Sequence, residues 1–286
     1  MNDIGGPQDF YQGPARHLEV HVTHDCNFQC EGCGHFNQHR FRGTNLSVDL
    51  IESWYKKWYK RISPPEISIL GGEPFLNPYL PELCHLTRKY FPFAPEVKLV
   101  TNASLIHLHP NLWKDLIETD IILDVSIHSD SQKYAKVMNP KLKIVREWRN
   151  MGVNVVISDV GLNKWDDYSR WKYFYMGEGE NIMPFEDNNP EESWNNCPAS
   201  QLCFQLHEGH IWKCAPLAFL PLMKKKYPNI SEKWDPYLKY KPLTSDCSDE
   251  EINEFFSRGC ESVCSMCPSK PVYFMKTKDP LRNEIK

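Results

Sequence analysis

His17-Leu18-Glu19-Val20-His21-Val22-Thr23 runs into His24-Asp25-Cys26-Asn27-Phe28-Gln29-Cys30-Glu31-Gly32-Cys33. The first seven residues read as a β-strand, and three thiols spaced C-x3-C-x2-C follow it at once. Three soft sulfur donors crowded into so short a loop ask for iron or zinc. Their number matters. A structural zinc site wants a fourth ligand. A four-iron cluster held by three cysteines keeps one iron open to a further ligand.

Outward from that loop the chain alternates. Strand-like apolar runs occupy 18–23, 66–70, 97–101, 121–127 and 153–158, with helix-like segments at 47–60, 80–90, 110–119 and 131–150 between them. Ser47, with Asp49 and Glu52 behind it, makes a reasonable start for the first helix. Strands alternating with helices over short connections predict an α/β fold with a parallel sheet of right-handed βαβ units. Five repeats, or six with 171–175, are too few for a closed eight-stranded barrel. In such folds the functional loops gather at the carboxyl ends of the strands. The cysteine loop and Gly71-Gly72-Glu73-Pro74, which follows the second strand, therefore fall on one rim. Glycines there let backbone approach a ligand closely, and a tight strand-to-helix turn is the plainer explanation for them. Asn102, Ser126 and His128 stand at the ends of the third and fourth strands. His128 reads more readily as a packing or surface histidine than as a catalytic base.

The chain has 286 residues, 41% of them hydrophobic and 24% charged, as in an ordinary globular protein. No apolar run is long enough for a bilayer, and the polar, acidic start is not that of a signal peptide. A formal net charge of −4 gives no global attraction to nucleic acid. Lys224-Lys225-Lys226 reads as solvated surface. Eleven cysteines without a secretory signal suit reduced, metal-binding thiols in the cytoplasm better than disulfides.

The cysteine spacing after an N-terminal strand, joined to Gly71-Gly72-Glu73-Pro74, resembles the radical S-adenosylmethionine (AdoMet) superfamily over roughly residues 18–160. The resemblance implies a partial (β/α)6 TIM-like barrel. It implies that Cys26, Cys30 and Cys33 hold a [4Fe–4S] cluster whose open iron chelates the amino and carboxylate groups of AdoMet. An electron, delivered by a donor such as flavodoxin or ferredoxin, would split AdoMet into methionine and a 5′-deoxyadenosyl radical, and that radical would remove a hydrogen atom from a substrate. Gly71, Gly72, Glu73 and Pro74 would hold the amino group of AdoMet; Ser126, with Asn102 and His128 as weaker candidates, would meet its ribose and carboxylate. Residues 156–158 are where an apolar contact to adenine is expected. One departure is Gly32, where many members carry an aromatic residue before the third cysteine; Phe28 is the alternative cover for the cluster.

From about Gly177 the texture becomes turn-rich, with Gly177-Glu-Gly-Glu-Asn and Asp187-Asn-Asn-Pro190. Seven cysteines follow between Cys197 and Cys267. The order is cysteine, hairpin with Gly209 at its turn, cysteine, helix at 249–257, then Cys264-Ser-Met-Cys267. It resembles the twitch form of the SPASM/twitch auxiliary-cluster domains and implies a second [4Fe–4S] cluster on Cys197, Cys214, Cys264 and Cys267. The C-x2-C-x5-C-x3-C run of a full SPASM domain is missing, and zinc on the same four thiols is the alternative. Cys84, Cys203, Cys247 and Cys260 remain; buried small hydrophobes is the plain reading. Cys203 and Cys260 are also candidates to replace a ligand or to donate a hydrogen atom to a substrate radical. The expected division is an arm at 1–16, a partial barrel at 17–180 and a small Cys-rich domain at 181–286.

The leading expectation is an enzyme that oxidises, dehydrogenates or rearranges a small polar metabolite, similar to the superfamily's aminocyclitol dehydrogenase branch. Such chemistry needs a substrate base, and the sequence marks none. Beside it stand a maturase of peptide or protein side chains, for which the short arm offers no recognition module, and an isomerase or modifier of a nucleotide or DNA base. A non-enzymatic iron–sulfur or zinc scaffold is the remaining class.

Overall fold

A computed structural model describes residues 17–158, 172–185, 187, 189–197, 203–272 and 279–282. The expected arm at 1–16, and Trp171 of the expected sixth strand, lie outside the described residues. Residues 172–175 form no strand; Tyr173 N–H donates to Val272 O at 2.9 Å.

Five parallel strands alternate with four helices: β1 (His17–Thr23), α1 (Val48–Trp58), β2 (Glu66–Gly71), α2 (Leu80–Tyr90), β3 (Glu96–Thr101), α3 (Leu112–Glu118), β4 (Ile122–Ser126), α4 (Gln132–Asn150) and β5 (Val155–Ser158). Capping sets the helix starts. Ser47 Oγ accepts from Leu50 N–H ahead of α1, and Ser131 Oγ from Tyr134 N–H ahead of α4. Beyond β5 come α5 (Pro190–Asn195), β6 (Cys203–His207), β7 (His210–Trp212), α6 (Ala215–Lys226), α7 (Asp235–Leu238) and α8 (Asp249–Ser257). A capping box between Ser248 and Glu251 starts α8.

The sheet has seven strands in the order β5-β4-β3-β2-β1-β6-β7. The predicted hairpin is present, its two-residue turn formed by Glu208 and Gly209 at φ 53° and 75°. Positive φ at both positions suits the twist of a hairpin turn. Its location differs from the expected one. Sequence reading assigns the hairpin to a C-terminal unit, but β6 pairs in parallel with β1, from His17↔Cys203 to Val20↔Leu206, and extends the first sheet. The outward face of β6 explains this: Phe204 and Leu206 join the same core as Leu18 and Val20, with Phe255 and Phe256 of α8 laid over them.

Period-two alternation divides the sheet into two chemically distinct faces. One face, with Leu18, Val20, Val22, Ile67, Ile69, Val97, Leu99, Leu123 and Val125, is covered by the helices. The other carries Glu19, His21, Ser68, Ser126, Cys203, Gln205 and His207. Parallel strands buried on both faces are usually apolar throughout, so this polar inner face marks the working side. A second core, containing Leu217, Phe219 and Trp234, takes in Phe36 and Phe41 from the segment after the cysteine loop. Among the described residues no helix is long and apolar enough to cross a membrane.

Candidate functional site

The loop after β1 is clamped to the loop after β2. Gly72 N–H donates to Thr23 O and Glu73 N–H to Asp25 O, both at 2.9 Å. A Cβ on Gly72 would lie 1.9 Å from Asp25 O, and one on Gly71 2.3 Å from Thr23 O. The two glycines are therefore required by backbone packing, whatever they bind. Glu73 points away from the rim into the protein. Fully buried, it accepts from Thr101 Oγ1 at 2.6 Å, Asn102 N–H at 2.9 Å and Phe75 N–H at 3.2 Å. Burial pushes its carboxyl up to about 7 despite those donors. Its visible role is to tie the β2 and β3 ends together. Pro74 starts the short 3-10 turn Pro74–Leu76.

Cys26, Cys30 and Cys33 line one cavity of about 300 Å3, together with Gly71, Gly72, Asn102, Ser126 and His128. Each came from sequence reading. Cys203, a candidate hydrogen-atom donor in the sequence, lines it too, as do Val100, Thr101 and Glu19, which were missed. The signal for Glu19 was present: it is a polar residue between Leu18 and Val20 on a strand. His128 Nδ1 lies 3.3 Å from Cys30 Sγ, and its ring meets the edge of Phe28 at 5.6 Å. Phe28, 1% exposed, lines the cavity, as its proposed covering role requires. Ile157 instead packs against the outer core, and Ser158 Oγ donates to Asp124 Oδ1 at 2.8 Å. The chain returns to brace the loop at 279–282. Gln29 N–H donates to Pro280 O at 2.8 Å, and Arg282 donates to Phe28 O at 3.0 Å and Gln38 O at 2.8 Å.

Burial and neighbouring acidic groups push the Cys26 and Cys30 thiols up. Burial acts in the same sense on Cys33, but a hydrogen bond and charge from His35 outweigh it and bring that thiol down. His35 is held protonated up to about 10: burial opposes the charge, while Cys33 and Glu19 favour it. Glu19 is drawn down to about 2, burial being outweighed by His35, His17 and Gln205. Three soft donors converge on one cavity, Cys26 buried and Cys30 and Cys33 half-buried. This donor set fits an iron–sulfur cluster.

The second cysteine group also converges. Cys197, Cys214, Cys264 and Cys267 line one small cavity of about 30 Å3 with Trp194 and Lys213. Cys214 caps the N-terminus of α6, and Cys264 lies in the 3-10 turn Ser262–Met266. Burial pushes Cys214 up to about 12 and Cys264 to about 11, and burial with the neighbouring thiols pushes Cys267 up as well. Lys213 Nζ, over the Trp194 ring at 4.4 Å, donates to Gly259 O and Glu261 Oε1 at 2.8 and 2.7 Å. Four thiols lining one small cavity fit a four-coordinate metal or a cluster. Cys260 is exposed and lines neither cavity; Cys84 is buried in α2, and Cys247 lies 3.7 Å from Arg61 Nη1.

The chain belongs to the radical SAM superfamily, whose sequence profile matches residues 20–173. An S-adenosylmethionine-dependent nucleotide dehydratase of Thermoplasmatales archaeon (strain ISO4-H5) is 28% identical over 91 residues, which are 32% of this chain and 30% of that protein. The shared stretch thus spans under a third of that relative. Among solved structures, BtrN in complex with AdoMet and 2-DOIA is similar at a TM-score of 0.49 and 15% identity, over 92% of this chain and all of that one. The anSMEcpe enzyme with bound AdoMet and Cp18Cys peptide gives 0.37 and 19%, over 49% of this chain and 42% of that one.

Proposed function

We propose that this chain is a radical AdoMet enzyme acting on a small polar metabolite, by oxidation, dehydrogenation or rearrangement. One observation carries the reading: three thiols, Cys26 buried and Cys30 and Cys33 half-buried, and a glycine-clamped rim open onto a single cavity. When bound, the [4Fe–4S] cluster and AdoMet supply an electron and a carbon radical able to take a hydrogen atom from a C–H bond.

The protein's own residues orient and exclude. Cys26, Cys30 and Cys33 hold the cluster, and Phe28 shields it on the α4 side. Gly71 and Gly72 offer backbone to the amino end of AdoMet. Asn102, fixed by its N–H to Glu73 and its amide to Asn27 Oδ1 at 3.1 Å, and Ser126 offer polar contacts to its ribose and carboxylate. Glu73 keeps that rim in shape from beneath. The cavity volume is at the lower end for small-molecule sites, and the polar side chains on its wall suit a hydroxylated substrate. Cys203 is a better hydrogen-atom donor than Cys260, because Cys203 lines that cavity. Cys197, Cys214, Cys264 and Cys267 hold an auxiliary [4Fe–4S] cluster that takes or supplies an electron. Free thiols throughout suit a reducing compartment.

A nucleotide substrate is the second reading, favoured by the stretch shared with the nucleotide dehydratase. One experiment tests both. The anaerobic, reduced protein is given AdoMet and deuterated candidate metabolites or nucleotides. 5′-Deoxyadenosine should form, deuterium in it should identify the substrate, and replacing Cys26, Cys30 and Cys33 by Ala should abolish it. Lack of 5′-deoxyadenosine from fully iron-loaded protein would defeat the reading.

A further inference from the structure

The inner face of the sheet carries two imidazoles, His21 and His207, that line neither cysteine cavity. His21 on β1 is 1% exposed, and among the described residues neither of its ring nitrogens has a hydrogen-bond partner. The Nδ1 atoms of His24 and His207 are buried and unpartnered as well. These rings converge: His21 lies 4.7 Å from His35 and 5.4 Å from His24, and His24 lies 5.2 Å from His207. Phe219 of α6 closes the group from above, 4.2 Å from His21. Glu19, two residues before His21 on the same strand face, places its carboxylate 3.4 Å from His35 Nε2. One ligand atom from each of Glu19, His21 and His35 lies within 4.8 Å of the others.

A buried polar group without a partner costs on the order of 1–3 kcal/mol, and such groups in native proteins ask for an explanation. The rings packed around His21 are two further histidines and a phenylalanine. The nearby Gln205 amide already donates to Glu19. A carboxylate and two imidazoles gathered this closely, His21 with both nitrogens free and His35 giving up its Nε2 proton for the ion, form the donor set of a divalent transition-metal ion.

We propose that Glu19, His21 and His35 bind a divalent first-row metal ion of the zinc class, beside the main cavity that Glu19 and His35 line. Three protein ligands leave a coordination position open, as in catalytic rather than structural sites. From that wall the ion can take a hydroxyl or carboxylate oxygen of a substrate held in the same cavity. His35 also hydrogen-bonds the Cys33 thiol, so its ring spans the ion and the cysteine loop.

The test uses the full chain with its iron reconstituted, incubated with zinc sulfate and desalted. Metal content is measured by mass spectrometry and coordination by zinc K-edge absorption. The expected result is one zinc per chain with a nitrogen/oxygen shell at about 2.0–2.1 Å and no sulfur at about 2.3 Å. Glu19→Gln with His21→Phe should lower zinc affinity at least tenfold with iron content unchanged, and His207→Gln should retain the zinc. No retained zinc, a sulfur shell, or undiminished zinc in the double variant overturns the proposal. The wild-type absorption reading stands whether or not a variant folds, and it is independent of AdoMet cleavage.

Discussion

At Gly72 a single hydrogen decides whether two loops can meet. A methyl group there would lie 1.9 Å from a backbone oxygen, and backbone cannot yield as a flexible side chain would. Gly72→Ala should therefore destabilise the protein by about 1–3 kcal/mol, the range for overpacking. It should also displace Asp25 and Cys26, so AdoMet-dependent perturbation of the cluster's electron paramagnetic resonance spectrum should weaken. Denaturant midpoints and that spectrum check the two effects separately; an unchanged midpoint would show that the rim can open. Glu73 gives a different lesson. The motif puts it among cofactor contacts, yet its carboxylate is consumed by Thr101, Asn102 and Phe75, and it acts as an internal brace.

At the scale of elements, the stretch from β6 to α6 serves two sites at once. The inner face of β6 contributes Cys203 to the main cavity. Two residues after β7, Cys214 caps the start of α6 and lines the second cysteine cavity. The last short 3-10 turn then brings Cys264 and Cys267 to it, with Ser193 Oγ of α5 donating to Cys267 O at 3.0 Å. If this cavity holds a cluster, anaerobic reconstitution should give about eight irons per chain by [4Fe–4S] stoichiometry. Cys264→Ala with Cys267→Ala should bring that to about four and spare the first cluster. Iron and sulfide assays decide it; about four irons in the parent chain, unaltered by the double change, would remove the auxiliary cluster.

Across the whole molecule, buried neutral histidines link folding to acidity. Burial and neighbouring positive charge hold His24 and His39 down to about 4 and His207 to about 3. Their ordinary value is 6.5, so between that and the folded values the unfolded chain binds the extra protons. Stability is then fully present above pH 6.5 and falls as pH drops toward 4. Each such histidine contributes up to about 1.4 kcal/mol per pH unit. Glu73, raised to about 7, acts oppositely for one proton, since its contribution is present below 4.5 and lost by 7. His207→Gln should flatten the acid limb of stability against pH by about one histidine's share, measured by denaturant unfolding of cluster-free protein from pH 7 to 5. An unchanged slope would mean that His207 charges freely in the folded state.

The sequence by itself determined the repeating strand–helix order, because its signals are local: period-two runs, Ser47 as a cap, Gly209 at a hairpin turn. It also marked both cysteine groups and the glycine rim, whose spacing carries the chemistry. Only the tertiary structure decided that β6 lies beside β1, a pairing of His17 with Cys203 across 186 residues that leaves no local trace. It alone brought Glu19, His21, His35 and His207 onto one inner face and returned Arg282 to the cysteine loop. These contacts depend on which faces are buried together, and burial is settled by packing of the whole chain.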